Sequence, residues 1–502
     1  MRRWLKPLRV LLAVVFFGVL SAAFLDFRGL MPTRLAHAFA AMQLGPATLA
    51  AVAGSALAAG SVALLLIVTL LFGRVYCSVI CPLGILQDAI ARLRPRRRTA
   101  TRFAPENKTI RYGFLTSALL AVALGATGVA FTLLDPYSHF GRITATLGRT
   151  ALVIGNNTLV PAAQTLGWQA LYRVPPPAPP LGLVLFATIA AVTVAALALW
   201  RGRIYCNTVC PVGTILGLLS RVSAFRLTID PAACTKCADC LRACKAQCID
   251  LRAGRVDASR CVACANCLSA CRHGGIAYRF AWRRTQRAPD PQRRALVAGA
   301  LAVPPLAALQ AVAAAPRRAP VAPPGAHSAT RLLDRCTGCQ LCVTACPTQV
   351  LQPAVFDYGW LGFAKPHLDF ERAFCNFDCH RCGDVCPTGA ILPLALADKR
   401  LTSVGTAQFE RSRCIVETDG TDCAACSEHC PTKAVNTVPF RDNLRLPAVN
   451  ESLCIGCGAC EFACPVRPQR AITVTARATH TRAAQAVEAR PQLPKPTGDF
   501  PF

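Results

Sequence analysis

The sequence predicts a multi-domain protein: an α-helical transmembrane bundle of four helices plus a fifth, joined to two smaller α+β units framed by cysteines. Three observations carry this. Long charge-free apolar runs recur through the N-terminal part, basic residues collect at one end of each run, and the 29 cysteines of the 502-residue chain fall into regularly spaced sets. A disulfide-stapled mini-protein is excluded, because the chain is too long and, at 53% hydrophobic, too apolar.

The apolar runs are Val10–Leu25, Ala47–Gly73, Tyr112–Leu134 and Leu181–Trp200, with an Ala-rich fifth at Ala295–Ala315 that carries Pro304 and Pro305. A spanning helix needs about 20 apolar residues. The second, third and fourth runs meet that length, and the shorter first run is extended by Arg9, whose stem snorkels. The bland alternative, a buried core helix, does not suit runs this long and uncharged.

Basic residues orient the runs. Arg2, Arg3, Lys6 and Arg9 precede the first, and Arg92, Arg94, Arg96, Arg97, Arg98, Arg102, Lys108 and Arg111 follow the second. Arg201 and Arg203 follow the fourth, and Arg293 and Arg294 precede the fifth. All of these fall on one side if the N-terminus is cytoplasmic, and the chain beyond Ala315 is then periplasmic. "VPPPAPP" (Val174–Pro180) and "PRRAPVAPPG" (Pro316–Gly325) read as linkers, and the polar tail 476–502 as disordered. The expected domains are 1–225 (helical), 226–285 (two-quartet unit), 286–325 (fifth helix and linker), 326–475 (four-quartet unit) and the tail.

The spacing Cys-x2-Cys-x2-Cys-x3-Cys occurs at Cys234, Cys237, Cys240, Cys244; at Cys261, Cys264, Cys267, Cys271; at Cys336, Cys339, Cys342, Cys346; and at Cys454, Cys457, Cys460, Cys464. Two variants stand between the last two: Cys375, Cys379, Cys382, Cys386 and Cys414, Cys423, Cys426, Cys430. A tight loop wraps three thiolates around one 4Fe-4S cubane, and the fourth cysteine, at a helix start, reaches a partner cluster. Structural zinc prefers paired Cys-x-x-Cys knuckles instead. Six quartets therefore predict six 4Fe-4S clusters on two bacterial-ferredoxin-like α+β units. In the two-quartet unit, Cys234, Cys237 and Cys240 should share a cluster with Cys271, and Cys261, Cys264 and Cys267 with Cys244.

The net charge of +29 is reduced by these clusters. Six cubanes held by four thiolates each take roughly 12 units from it, leaving about +17. The basic residues flank apolar runs and no basic patch is interleaved with aromatics, so no nucleic-acid partner is indicated. No Cys-x-x-Cys-His occurs and the eight histidines avoid the apolar runs, so no haem is indicated; no Gly-rich nucleotide motif supports flavin or NAD. Cys248 falls four residues past Cys244, where four of the other five quartets carry Gly275, Val350, Ala390 and Ala434, and reads as a small core residue in preference to a ligand.

One motif stands outside the quartets. "GRVYCSVICPLG" (Gly73–Gly84) returns as "GRIYCNTVCPVG" (Gly202–Gly213), each just after an apolar run. A reducing cytoplasm argues against disulfides. Cys77, Cys81, Cys206 and Cys210 form either one shared thiolate metal or redox site, with thiol pKa values lowered by Arg74 and Arg203, or a packed loop motif.

Residues 1 to about 285, with their paired Cys-x-x-x-Cys-Pro loops and two quartets, resemble the NapH-type membrane ferredoxins of periplasmic nitrate reductase systems. Residues from about 290 to 475 resemble the NapG-type partner, with "QRRALVAG" (Gln292–Gly299) in the place of a twin-arginine leader. The chain looks like a fusion of the two. The resemblance implies a quinol dehydrogenase component in the bacterial inner membrane. It would take electrons from the quinone pool to a periplasmic reductase or cytochrome, with the N-terminus and two-cluster unit cytoplasmic and the four-cluster unit periplasmic. Related membrane ferredoxins serve nitrous oxide reduction, methylamine oxidation and oxidase assembly, so a maturation factor that reduces or delivers metal to a respiratory enzyme is the alternative function. A polyferredoxin facing only the cytoplasm is a third reading. Resemblance to polyferredoxin subunits implies nested pairing in the four-quartet unit, its first quartet exchanging with its fourth and its second with its third. Cys244 and Cys271 depart from the pattern in lacking a following proline.

Overall fold

The computed structural model describes residues 4–93, 103–169, 171–281 and 319–485. The fifth apolar run, the Gln292–Gly299 segment, most of the expected tail and the densest part of the basic loop lie outside the described residues.

Among the described residues two helices are long and apolar enough to cross a membrane: α1 (Leu5–Leu25) and, later in the chain, Leu181–Arg201. The next two helices, α2 (Thr33–Ala41) and α3 (Leu44–Val52), are bent by 89° and count as a third span only if taken together. The second apolar run is thus not one helix. It divides into α3 and α4 (Ala56–Phe72) around Gly54 at φ +96°, and Ser55 Oγ caps α4 by accepting from the Ala58 amide. The third run divides in the same way. After α5 (Tyr76–Val79) and α6 (Pro82–Arg92) come α7 (Lys108–Ala123) and α8 (Thr127–Leu134), parted at Gly125 with φ +79°. Hydropathy does not register such breaks, because glycine ends a helix through its backbone and not its polarity.

Then follow α9 (Pro136–Arg142), a π-helical turn (Ile143–Gly148), α10 (Arg149–Thr165), α11 (Leu181–Arg201), α12 (Ile204–Thr208) and α13 (Pro211–Ser220). Leu11, Val14, Leu57, Leu64, Leu119, Ile154, Ile189 and Val192 are exposed on these helices. An outward apolar surface of that extent on a water-soluble chain would be a liability.

In the first cysteine unit β1 (Phe225–Ile229) is followed by the short strands β2 (Ile249–Asp250) and β3 (Arg255–Val256), then β4 (Ile276–Phe280). β1 pairs antiparallel with β4 and β2 with β3. The second unit has β5 (Leu351–Pro353), β6 (Pro366–Leu368), β7 (Thr402–Phe409), β8 (Val435–Pro439), β9 (Arg445–Val449) and β10 (Ile472–Arg482), in antiparallel pairs β5–β6, β7–β10 and β8–β9. β10 corrects the expected tail. The chain stays ordered past Ala476, pairing Thr481 with Ser403 after a bulge, and the Ala483 amide donates to Leu401. Thr473, Thr475, Thr479 and Thr481 recur at the strand period and let this polar segment lie on β7, a pairing that composition does not reveal.

The two units abut opposite ends of α1. Near its start, Arg9 bonds Asp88, which also meets Lys245 of the first unit. Near its end, Phe24 packs at Gly141, where a side chain would strike the Cys339 carbonyl of the second. The fifteen residues from Arg9 to Phe24 rise about 22 Å.

Candidate metal centres

The quartet loops are shaped by residues in the left-handed region. Lys236 and Ala238, Ala263 and Ala265, Gly338 and Gln340, and Gly456 and Gly458 all have positive φ, on either side of the second cysteine of each regular quartet. Those reversals curl the loop so that its thiols point to one centre. Each short helix that follows ends just before the fourth cysteine.

The structure tests which cysteines meet. Cys240 lies within electrostatic reach of Cys234, Cys237 and Cys271, and Cys267 of Cys261, Cys264 and Cys244. This is the exchange expected for the first unit. In the second unit the pairing is sequential, not nested. Cys342 meets Cys336, Cys339 and Cys386, and Cys382 meets Cys375, Cys379 and Cys346. Cys426 meets Cys414, Cys423 and Cys464, and Cys460 meets Cys454, Cys457 and Cys430. The short helix Leu341–Ala345 packs on Arg381–Asp384, and Ala425–Glu428 on Ala459–Ala463, so neighbours in sequence pair. The two halves join where the Cys375 amide donates to the Cys457 carbonyl at 2.9 Å. Among the described residues no group of three or more His, Cys, Asp or Glu is placed to hold a single metal ion. Sets spread around a multi-iron cubane need no such closeness.

Several groups around the thiols carry no cysteine signal. The Gly338, Ile391, Ala407 and Val435 amides each donate to a ligand-set sulfur at 3.4 Å. The hydroxyls of Thr348, Thr388 and Thr432 lie 3.6, 3.6 and 3.7 Å from the sulfurs of Cys346, Cys386 and Cys430. The recurring Cys-Pro-Thr was the available sign of these three. Cys248 is buried in the expected slot, its sulfur 3.6 Å from that of Cys244.

The repeated Gly-Arg-x-Tyr-Cys-x-x-x-Cys-Pro-x-Gly motif becomes a pseudo-symmetric crossing. Gly73 and Gly202 end α4 and α11 at positive φ, and Pro82 and Pro211 open α6 and α13. Arg74 of the first copy reaches into the second, donating to the Cys206 carbonyl at 3.0 Å and Asn207 Oδ1 at 2.7 Å. Arg203 of the second reaches back, donating to the Cys77 carbonyl at 2.6 Å. The closing glycines make room: a Cβ on Gly84 would lie 2.5 Å from Arg203 Nη1, and one on Gly213 2.8 Å from Arg74 Nη2. Glycine, arginine and glycine recur because each copy threads the other.

Cys77, Cys81, Cys206 and Cys210 thereby share one buried centre, each at most 5% exposed and in electrostatic contact with the others. Their thiols differ from expectation. Burial pushes Cys81, Cys206 and Cys210 up, outweighing the nearby guanidinium groups that favour the thiolate at Cys206 and Cys210. Without a metal these three stay neutral; a metal would draw off their protons. Four thiolates around a cluster core of charge 2+ would carry about −2, and beside them Arg74 Nε and Arg203 Nη2 are buried without hydrogen-bond partners among the described residues, which suits such a group.

Asp88 and Gln87 were missed by motif reading. Gln87 Nε2 donates to Cys206 Sγ at 3.3 Å, and Asp88 holds Arg203 at 2.8 Å, Arg9 at 2.7 Å and Lys245 at 3.3 Å. Burial works against the Asp88 charge, but Arg203, Lys245 and Arg9 hold its carboxyl well below the usual range. The signal available was an asymmetry: the second copy has Leu216 and Gly217 at those positions.

Models of 4Fe-4S binding domains match residues 55–100 with 180–230, and 447–468; 4Fe-4S dicluster models match 335–391 and 257–350. The first falls on the two crossed motifs. The 257–350 match joins one quartet from each unit, whereas the thiols pair within units. The ferredoxin-type protein NapF of Escherichia coli (strain K12) is 29% identical over 29% of this chain and 80% of its own length. The methylamine utilization ferredoxin-type protein MauM of Methylobacillus flagellatus is 32% identical, over 32% of this chain and 71% of its own. The ferredoxin-type protein NapG of Escherichia coli (strain K12) is 31% identical, over 30% and 68%. The chain belongs to this ferredoxin-type family. It is an iron–sulfur electron-transfer protein related to the Nap ferredoxins, in keeping with the fusion that the motifs implied. No solved structure matches it.

Proposed function

We propose that this chain is a membrane-bound quinol dehydrogenase component that passes electrons through six 4Fe-4S clusters to a periplasmic reductase or cytochrome. The observation that carries the reading is a continuous row of thiol sets. One end of it is the set of Cys234, Cys237, Cys240 and Cys271, which adjoins that of Cys244, Cys261, Cys264 and Cys267, and beyond these lies the four-thiol centre. Arg74 links these last two, donating to Ser259 O at 3.0 Å beside one set and lying 3.7 Å from Cys77 Sγ in the other. From there Arg142 lies within reach of Tyr205 on one side and of Cys336 and Cys339 on the other. The row ends in the second unit, whose sets adjoin at Cys375 and Cys457.

Each of the six sets drawn from the quartets would supply thiolates to one cubane, which when bound would accept and release one electron at a time. The chain's own residues fix the spacing, exclude water and donate hydrogen bonds to sulfur, which favours the reduced state. The maturation reading needs thiols that a client reaches. The burial of Cys77, Cys81, Cys206 and Cys210 favours a relay instead.

The exposed apolar belt supports membrane insertion, and the basic flanks support a cytoplasmic N-terminus and two-cluster unit with the four-cluster unit periplasmic. The purified chain is expected to hold about 24 irons as cubanes. About eight irons, or a zinc-dominated sample, refutes the cluster count. Reporters fused after Gly325 are expected to be active only as folded-export reporters, and cytoplasmic behaviour refutes the orientation.

A further inference from the structure

Where the end of α1 meets the second cysteine unit there is a cavity of about 140 Å³. Its walls combine apolar side chains, Ala23, Phe27, Met31 and Val385, with Arg149 and the cluster-set residue Cys346. Arg149 is only 6% exposed, yet its guanidinium has no hydrogen bond among the described residues, and its Nε is buried without a partner. A buried cation left this way is costly unless something else bonds it. The other charged groups at the cavity are already engaged. Asp26 accepts the amides of Arg28, Gly29, Leu30 and Met31 at 2.7–3.2 Å. Arg28 donates to Asn156 at 3.3 Å and Arg381 to the Gly29 carbonyl at 3.2 Å. Among the described residues Arg149 is the buried guanidinium at the cavity that makes no hydrogen bond, with Asp26 within electrostatic reach of it.

We propose that this cavity is the hydroquinone headgroup site, with Arg149 bonding a ring oxygen; the proposal rests on the quinol reading above. In size alone the cavity suits one six-membered ring, for which about 150 Å³ is enough. Among the described residues the carboxylate and the other two arginines hold hydrogen bonds and Arg149 holds none, which suits the oxygen of a neutral ring more than a phosphate. Leu30 and Leu35, beside the cavity at the end of α1 and the start of α2, are exposed and give an isoprenoid tail an apolar way out. Cys346 belongs to the set with Cys375, Cys379 and Cys382, and Val385 precedes Cys386 of the adjoining set, so the ring lies against two clusters. The hydroquinone loses two O–H protons to water at the cavity mouth and two electrons, one to each adjacent 4Fe-4S cluster, leaving the quinone. Arg149 stabilises the ring oxygen as its proton leaves.

The test is photolabelling of the full cluster-loaded chain with an azido-benzoquinone bearing a short isoprenoid tail, the sites being mapped by mass spectrometry. Label displaced by unlabelled quinone is expected on peptides containing Met31 or Thr344–Gln349. It should fall at least fivefold in Arg149→Gln and in the cavity-filling Ala36→Met, at unchanged iron content. If Arg149→Gln loses iron, Ala36→Met decides. Full labelling in an iron-replete Ala36→Met overturns the site. Saturable label near Cys77 and Cys206 instead overturns the site but leaves the quinol reading standing. No saturable label anywhere overturns both. Label displaced by phosphatidylglycerol vesicles but not by quinone makes the cavity a lipid headgroup pocket and overturns the proposal.

Discussion

Replacing Gly213 with alanine tests the crossed architecture of the four-thiol centre. The new methyl would sit 2.2 Å from the Cys206 carbonyl oxygen and 2.8 Å from Arg74 Nη2. That is about 1 Å inside ordinary contact. The oxygen belongs to the backbone and is held by Arg74, so neither neighbour yields cheaply. Overpacking costs about 1–3 kcal/mol. Opening the charge-assisted bond from Arg74 adds about 1.5–3 kcal/mol. The combined effect, about 2.5–6 kcal/mol, is about two to four powers of ten in the closing equilibrium of the two motifs. Gly84→Ala should cost a similar amount, because its methyl would lie 2.5 Å from both the Cys77 carbonyl and Arg203 Nη1. In a multi-domain chain a single unfolding energy is ill-defined, so the readout is local: hydrogen exchange of peptides 74–83 and 203–212 in detergent. Gly18→Ala and Gly60→Ala, with nothing within 4 Å of the added methyl, are the controls. They should be neutral or slightly stabilising, as alanine is favoured over glycine in a helix by about 0.5–1 kcal/mol. Exchange in Gly213→Ala as slow as in these controls would refute the crossing.

Asp88→Asn leaves Arg9 and Arg203 buried without their carboxylate and should destabilise the start of α1 by about 3–5 kcal/mol. The lowered Asp88 carboxyl contributes stability that is complete above its unfolded value of about 3.9 and is lost only as pH falls through the lower folded value. The gap between wild type and Asp88→Asn in thermal melts should therefore stay constant from about pH 5 to 8, and a gap that closes toward pH 5 contradicts the network. Sequential pairing predicts that Cys342→Ser with Cys386→Ser removes one cluster, about 4 irons by assay and one EPR signal, whereas nested pairing would remove two. Thr388→Val removes a hydroxyl beside the Cys386 sulfur. It should lower that cluster's potential by roughly 20–60 mV in an EPR-monitored titration, the equivalent of one hydrogen bond to a one-electron centre; an unchanged potential assigns that hydroxyl no role.

The quartets were legible because a cubane's ligands come mostly from one short loop, and a loop that curls on itself must keep its spacing in the sequence. The exchange between Cys244 and Cys271 was legible for the same reason, as only two quartets were present. Among four quartets, spacing permits several pairings. Sequential exchange was decided by the packing of the short helix after Cys339 on that at Cys382, and of the helix at Cys426 on that after Cys457. The apolar runs showed where hydrophobic surface lies, but not that Gly54 and Gly125 break two of them, since a backbone reversal leaves hydropathy unchanged. The repeated Gly-Arg and Cys-Pro-x-Gly announced two equivalent loops. Only the tertiary structure made them one centre, by passing Arg74 and Arg203 across it. Asp88, Gln87 and Arg149 had no periodic or spaced signal at all, because each acts on groups distant in sequence. What local geometry enforces, the order of residues records; which distant charges and thiols meet is set by how the helices pack.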